Sequence, residues 1–165
     1  MGATETALPA PSTRTVPSLD NSVALVAFSP NGRSLTFIPM RRGFEEALGQ
    51  YQATAQRYNR PLTLILIDMR GLKRLNQKHG HVAGDQALKT LVQLIQKNKR
   101  HADIIARVGG DEFVLLLPET DTQQAMHAIQ RIQTDLHTHQ IEITYGIAQT
   151  PSKDLYLDAD QQLRK

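Results

Sequence analysis

The sequence contains no cysteine and no tryptophan, and it has no long hydrophobic run. Without cysteine there can be no disulfide bond, no thiolate metal site and no cysteine nucleophile. No stretch approaches the ~18 apolar residues of a membrane-spanning helix, and the first residues lack the pattern of a secretory signal. Aromatic residues make up only 5% of the chain and are not interleaved with a basic stripe, so a nucleic-acid platform is not supported. We therefore expect a cytoplasmic protein with no membrane span and no nucleic-acid partner.

The chain has 165 residues, 40% of them hydrophobic, with a formal charge of +3 at pH 7. This length allows one domain with a substantial core. Residues 1–21 are rich in Pro, Ser, Thr and Ala and show no periodicity, so we predict a flexible N-terminal arm followed by a single domain over 22–165. The mildly basic charge fits an ordinary solvated surface first and a phosphate-bearing ligand second.

Strand and helix patterns alternate along the chain. A pair of strands is predicted at 23–28 and 35–38, and the 62–68 run has no polar alternation, as in a strand buried on both faces. The other elements are predicted helices at 43–60, 87–95 and 122–137, strands at 104–108, 114–117 and 141–148, and a short polar helix at the end. Residues 69–84 are predicted to be irregular, and Asp121 or Thr122 to cap the helix that follows. The fold class is α/β (α+β), with an antiparallel-containing central sheet covered by helices.

A Gly-Gly-Asp-Glu-Phe segment at 109–113 separates two of the apolar strands. A hairpin turn is expected there, with Gly109 and Gly110 reaching positive φ and letting a ligand approach the backbone. Asp111 and Glu112 would be hard oxygen ligands on rigid elements, as a Mg²⁺ ion carrying phosphates requires. The alternative is a solvated turn without function.

More polar residues stand between this turn and the preceding strand. Asp68 ends the 62–68 run, and it would meet Asp111 if the two strands were neighbours, although it could also cap a turn. Asn76 and Asp85 together offer the donor and acceptors that guanine needs. Asp85 could also be the N-cap of the helix after it, and the two roles are compatible.

A resemblance to a known protein family rests on the residues and spacing of four stretches: 35–44, 68–85, 109–113 and 143–148. Over roughly 33–163 the chain resembles the GGDEF domain family of diguanylate cyclases. The resemblance implies a nucleotidyl-cyclase palm-like fold. It also implies the condensation of two GTP molecules into cyclic di-GMP with release of pyrophosphate. Each domain would bind one GTP, so catalysis would need a homodimer, and a regulatory partner is a further expectation.

The resemblance also implies a role for each matching residue. The metal ion, Mg²⁺ or Mn²⁺, would be held by Asp68, the Met69 carbonyl and Asp111. Asp111, with Glu112 beside it, would be catalytic and would activate the ribose 3′-hydroxyl. The substrate-binding residues would be Asn76, His81 and Asp85 at guanine, and Gly71, Leu72, Lys73, Gly109 and Gly110 around the phosphates. Arg100 and Asp103 would form an allosteric, product-binding RxxD site that inhibits the enzyme.

Two departures leave a second hypothesis open. Arg70 stands where the family has a second Asp, so it either weakens Mg²⁺ binding or adds a guanidinium near the triphosphate. The match to the family's last helix stops before the Lys and Arg that grip the β- and γ-phosphates, as in a truncated C-terminal helix. The alternative is thus a degenerate GGDEF domain that binds GTP or cyclic di-GMP as a regulatory module with weak or no cyclase activity. A polymerase palm would use similar acids but lacks the basic track.

Overall fold

A computed structural model describes residues 23–28 and 35–165, with side chains from residue 38 onward. The strands are β1 (Val23–Phe28), β2 (Leu35–Pro39), β3 (Leu62–Met69), β4 (Ile104–Arg107), β5 (Glu112–Pro118) and β6 (Ile143–Gln149). The helices are α1 (Arg41–Tyr58), α2 (Leu72–His79), α3 (His81–Asn98), α4 (Thr122–Thr138) and α5 (Leu155–Leu163). The arm predicted over 1–21 lies outside the described residues.

The central sheet has the strand order β4-β5-β3-β6, and every pair in it is antiparallel. β3 lies between β5 and β6, and its residues from Leu62 to Ile67 are buried. Apolar residues of α3 and α4 cover one face of the sheet, and those of α1 and α5 cover the other. The predicted fold class is therefore confirmed, and the absence of alternation in β3 reflects burial on both faces. β1 and β2 form a separate antiparallel pair.

Asp121, one of the two residues predicted to cap α4, is its N-cap and forms a capping box. The Asp121 carboxylate accepts a hydrogen bond from the Gln124 N–H (2.8 Å), and the Gln124 side-chain carbonyl accepts one from the Asp121 N–H (3.0 Å). These two bonds satisfy amide groups that have no partner within the helix. Ala125, Ile129, Ile132 and Leu136 then point into the core at helical spacing.

The stretch 69–84 is not irregular, because it contains α2 and the first turn of α3. Gly71 and Gly80 flank α2 with φ of 73° and 85°, a region that glycine enters without steric cost. α2 buries no residue, so it left no apolar pattern in the sequence. α3 begins at His81, which places Asp85 inside the helix and makes the interpretation of Asp85 as its N-cap wrong.

α5 packs tightly against β6 at Gly146. A Cβ atom on Gly146 would lie 1.9 Å from the carbonyl oxygen of Ala159 in α5, so a side chain cannot fit there. The Gln162 side chain also accepts a hydrogen bond from the Ile147 N–H (3.2 Å). The helix therefore covers the outer strand of the sheet.

Among the described residues, no helix combines the length and apolar character needed to cross a bilayer.

Candidate active site

The turn between β4 and β5 carries the Gly-Gly-Asp-Glu-Phe segment. The backbone N–H of Val108 donates to the carbonyl of Glu112 (3.0 Å), which closes the turn. Arg107 donates from its guanidinium to the carbonyls of Gly109 (3.1 Å) and Gly110 (2.6 Å). Hydrogen bonds from Arg107 thus hold the turn.

The two glycines of the turn have different structural roles. Neither adopts a positive φ, so the expectation that they supply left-handed backbone is wrong. A Cβ on Gly109 would lie 2.8 Å from Oε2 of Glu112, whereas a Cβ on Gly110 would meet nothing within 4 Å. Gly109 is needed because it leaves room for the Glu112 side chain, while Gly110 leaves the turn open on its outer side.

The carboxylates of Asp68 and Asp111 meet at this end of the sheet, and the charge of Glu112 acts on Asp68. Asp68 stands opposite Glu112 in the β3–β5 register, and the Met69 N–H donates to the carbonyl of Asp111 (2.9 Å). The pKa of Asp68 is raised from 3.8 to about 6, first by burial, then by the charges of Asp111 and Glu112 and a side-chain hydrogen bond with Asp111. Arg70 opposes this rise but does not overcome it. The convergence expected of Asp68 and Asp111 is therefore present.

The donor atoms of this cluster suit a hard cation. In the part of the chain that the structure describes, no three His, Asp or Glu side chains come together as a full ligand set for a metal ion. Mg²⁺ is nevertheless often bound by one or two carboxylates and completed by phosphates and water. A cation bound between the carboxylates would also offset the repulsion that raises the pKa of Asp68. The metal roles of Asp68, Met69 and Asp111 remain predictions.

α2 and α3 bring together the residues predicted to bind guanine. The Asn76 side chain packs directly on Gly84, where a Cβ would lie 1.7 Å from Asn76 Oδ1. This buried oxygen has no hydrogen-bond donor among the described residues, which is costly. Asp85 follows Gly84, and His81 lies one helical turn before it, with both side chains exposed. The arrangement is compatible with the predicted guanine pocket.

The N-terminus of α2 adjoins the carboxylate cluster. Gly71 takes the N-cap position without a side-chain cap, so the first N–H groups of the helix remain available to an anion. Leu72 is half-buried, and Lys73 extends into solvent. These are the residues predicted to hold the triphosphate, and they lie next to the end of β3.

Arg100 and Asp103 bind each other. Asp103 is 5% exposed, and its carboxylate accepts from the Arg100 N–H (2.8 Å) and guanidinium (3.3 Å). The same guanidinium donates to the carbonyl of Pro118 (3.1 Å) and the hydroxyl of Thr120. The aspartate of the RxxD pair therefore supports a turn, and a ligand would have to compete for it. The product-binding role of the pair remains a prediction.

Two further arginines near the turn were missed, because their contacts depend on the tertiary fold. Arg41 donates to the carbonyl of Val108 (3.3 Å) and to the Tyr156 hydroxyl (3.2 Å), which links α1, the turn and α5. Arg164 forms an ion pair with Asp160 (2.8 Å) at the end of α5. Its pKa is raised by Asp160 and, more weakly, by the charge of Glu112. α5 thus brings a cation toward the carboxylate cluster.

The chain is similar to known proteins in sequence and in fold. The family model "Diguanylate cyclase, GGDEF domain" matches residues 34–165. The diguanylate cyclase DgcP of Pseudomonas aeruginosa is 39% identical over 99 residues, which are 60% of this chain and 15% of DgcP. The solved GGDEF domain of the P. aeruginosa protein YfiN, or TpbB, has a TM-score of 0.72 at 29% identity, covering 77% of this chain and 88% of that domain.

A microbial GGDEF domain solved for its novel mode of interaction with cyclic di-GMP has a TM-score of 0.70 at 30% identity, with coverage of 83% and 87%. The chain thus spans a small part of the full-length relative DgcP but most of the isolated GGDEF domains. The family model covers most of the chain, and the solved domains agree with it in fold. The chain therefore belongs to the GGDEF domain family.

Proposed function

We propose that this protein is a diguanylate cyclase that condenses two GTP molecules into cyclic di-GMP. The observation that carries the proposal is the meeting of Asp68 and Asp111 at the signature turn, beside the uncapped N-terminus of α2. Carboxylates for a divalent ion and free N–H groups for phosphates are what a nucleotidyl transfer requires. The family relatives named as diguanylate cyclases support the same activity.

Each bond formed in the reaction has a counterpart that breaks. The 3′-oxygen of one GTP forms a bond to the α-phosphorus of the other, and the bond between that phosphorus and the pyrophosphate oxygen breaks. Asp111 accepts the proton of the 3′-hydroxyl, with Glu112 beside it, and Asn76 and Asp85 hold the guanine. A bound Mg²⁺ would neutralise charge on the phosphates. In a second step of the same kind, the 3′-oxygen of the other nucleotide forms a bond to the remaining α-phosphorus. A second pyrophosphate leaves, and the ring closes.

Catalysis requires two copies of the chain. One site formed by Asp68, Asp111 and α2 holds one GTP, so the attacking hydroxyl must come from a GTP on a second copy. We therefore infer a homodimer whose two sites face each other during the reaction. The rate per protomer should rise with protein concentration below the dimer dissociation constant.

The decisive experiment is incubation with GTP and Mg²⁺, followed by chromatographic detection of cyclic di-GMP. Product should form, and Asp111→Asn should abolish it because the carboxylate that accepts the proton is lost. Asp158→Asn is the matched control, since Asp158 is an exposed carboxylate that accepts a hydrogen bond from Ser152 outside the site. An unchanged rate in Asp111→Asn would remove Asp111 from its assigned role.

A second candidate is a regulatory domain that binds GTP or cyclic di-GMP without turning GTP over. It is favoured by Arg70, an exposed cation whose charge acts on Asp68 where the family has an acid. Measurable GTP binding with no product at high protein concentration would support this candidate and overturn the cyclase.

Product inhibition is proposed to act through Arg100. Its guanidinium side chain is 57% exposed although it is paired with Asp103, so a phosphate or guanine edge can reach its outer side. Arg100→Ala should raise the concentration of cyclic di-GMP needed for half-inhibition. An unchanged inhibition curve would exclude Arg100 from product binding.

A further inference from the structure

A basic cavity lies against α2 and adjoins the candidate active site. Its volume is about 660 Å³, and its walls are α2, the first part of α3 and the loop 139–142 before β6. Arg70, Arg74 and Lys78 line it together with Met69 and Gly71 of the candidate active site, whereas Lys73, Asn76 and Asp85 do not. The cavity therefore shares one helix with the predicted GTP pocket but uses another face of that helix.

The three cations are aligned by the local backbone. They stand four residues apart, the spacing that puts side chains on one side of a helix. Arg70 precedes α2, and its N–H donates to the carbonyl of Glu142 (2.9 Å), which fixes the loop that forms the opposite wall. No Asp or Glu occurs from 69 to 84. The carboxylate of Glu142 is the single acid among the cavity's lining residues.

Among the described residues, no carboxylate lies within ion-pair distance of these cations, although the charge of Arg70 acts on Asp68. Arg41, Arg42, Arg60, Arg100 and Arg164 each form an ion pair with a carboxylate. Within the described residues, the side chains of Arg70, Arg74 and Lys78 form neither an ion pair nor a hydrogen bond. Unpaired charge is thus concentrated on one wall of a concave site, where it favours an anion.

The remaining surface of the cavity indicates the size and class of that anion. Leu75, Ala87 and Ile141 supply apolar surface, and the volume lies in the range of small-molecule sites. Two guanidinium groups are suited to bidentate bonds with phosphate oxygens. We propose that this cavity binds a small molecule carrying a di- or triphosphate group, at a site that adjoins the candidate active site at Met69 and Gly71 and extends along another face of α2.

The test is calorimetric titration of sodium tripolyphosphate and, separately, of ATP into the protein at low salt with EDTA. The double variant Arg74→Gln/Lys78→Gln should weaken binding by at least about tenfold, as expected for the loss of charge-assisted hydrogen bonds. Arg57→Gln/Lys153→Gln is the matched control, because it removes the same charge from an exposed arginine and an exposed lysine outside the cavity and the candidate active site. The control should retain binding, and circular dichroism should show that both variants are folded.

The two titrants distinguish the source of the phosphate group. Similar affinities identify a free polyphosphate as the preferred ligand, whereas tighter binding of ATP identifies a nucleotide that also uses the apolar surface. Absence of binding of either compound would overturn the proposal. Equal loss in both double variants would overturn the proposal in favour of nonspecific attraction. Loss in the separate variant Lys73→Gln but not in Arg74→Gln/Lys78→Gln would overturn it by placing the ligand at the GTP pocket. None of these outcomes depends on cyclase activity.

Discussion

Asp68→Asn should stabilise the metal-free protein at neutral pH, although it removes a proposed metal ligand. Asp68 is half-buried and faces the charges of Asp111 and Glu112. Its pKa in the folded protein is about 6, above the ordinary 3.8. Between these values the folded protein retains a proton that the unfolded chain has released, so stability falls as the pH rises through this interval and is level above it.

The size of the effect follows from the interval between the two pKa values. It corresponds to about 3 kcal/mol at ~1.4 kcal/mol per pH unit, and solvent screening of this half-buried group reduces it to about 1 kcal/mol. At pH 4 the protonated Asp68 resembles Asn, and the variant should be about as stable as the unaltered protein. At pH 7.5 the variant should be more stable by about 1 kcal/mol.

Urea unfolding in EDTA at pH 4, 5.5 and 7.5 measures this difference. Asp85→Asn is the control, because Asp85 is an exposed carboxylate outside the cluster, and its variant should show no such trend. Added Mg²⁺ should then raise the stability of the unaltered protein but not of Asp68→Asn, since only the former keeps both of the carboxylates proposed to hold the ion. The reasoning is refuted if Asp68→Asn is destabilised at pH 7.5, or if its stability difference is the same at all three pH values.

Gly146→Ala should destabilise the protein by about 3 kcal/mol in urea unfolding, because its Cβ would meet backbone of α5, whereas Gly110→Ala should change stability by less than about 1 kcal/mol. Equal effects would contradict the difference in space around the two glycines. Gly84→Ala should push the Asn76 side chain aside and weaken GTP binding about tenfold in calorimetry, and unchanged affinity would separate Asn76 from guanine binding. Asp121→Ala should cost about 1 kcal/mol through loss of the α4 cap, and thermal unfolding that shows no loss would mean that the capping box does not stabilise the helix.

The elements that were predicted from the sequence have clear local patterns of apolar and capping residues. β3 is an uninterrupted apolar run, and α4 combines a capping residue with apolar residues at helical spacing. The meeting of Asp68 with Asp111 was predicted only on the condition that their strands were neighbours. That condition depends on strand order, which short-range patterns do not encode, and the antiparallel pairing of β3 with β5 meets it.

The features that were missed arise from contacts between distant segments or from single glycines. α2 buries no side chain, so its existence depends on the left-handed backbone at Gly71 and Gly80 instead of on an apolar stripe. The pairing of Asp103 with Arg100 was hidden because it involves a turn that also engages Thr120, twenty residues from Arg100. Gly109 and Gly110 look equivalent in the sequence, and only the position of Glu112 distinguishes them.

The uneven pairing of cations governs how quickly the protein captures an anion. Paired charges cancel each other's field at short range, whereas the unpaired cations of α2 act over about one Debye length, ~8 Å at physiological salt. A phosphate compound diffusing near the described domain is therefore drawn to α2 and arrives between the candidate active site and the basic cavity. The association rate constant should fall as salt is added, while the dissociation rate constant, set by contacts made after docking, should change less.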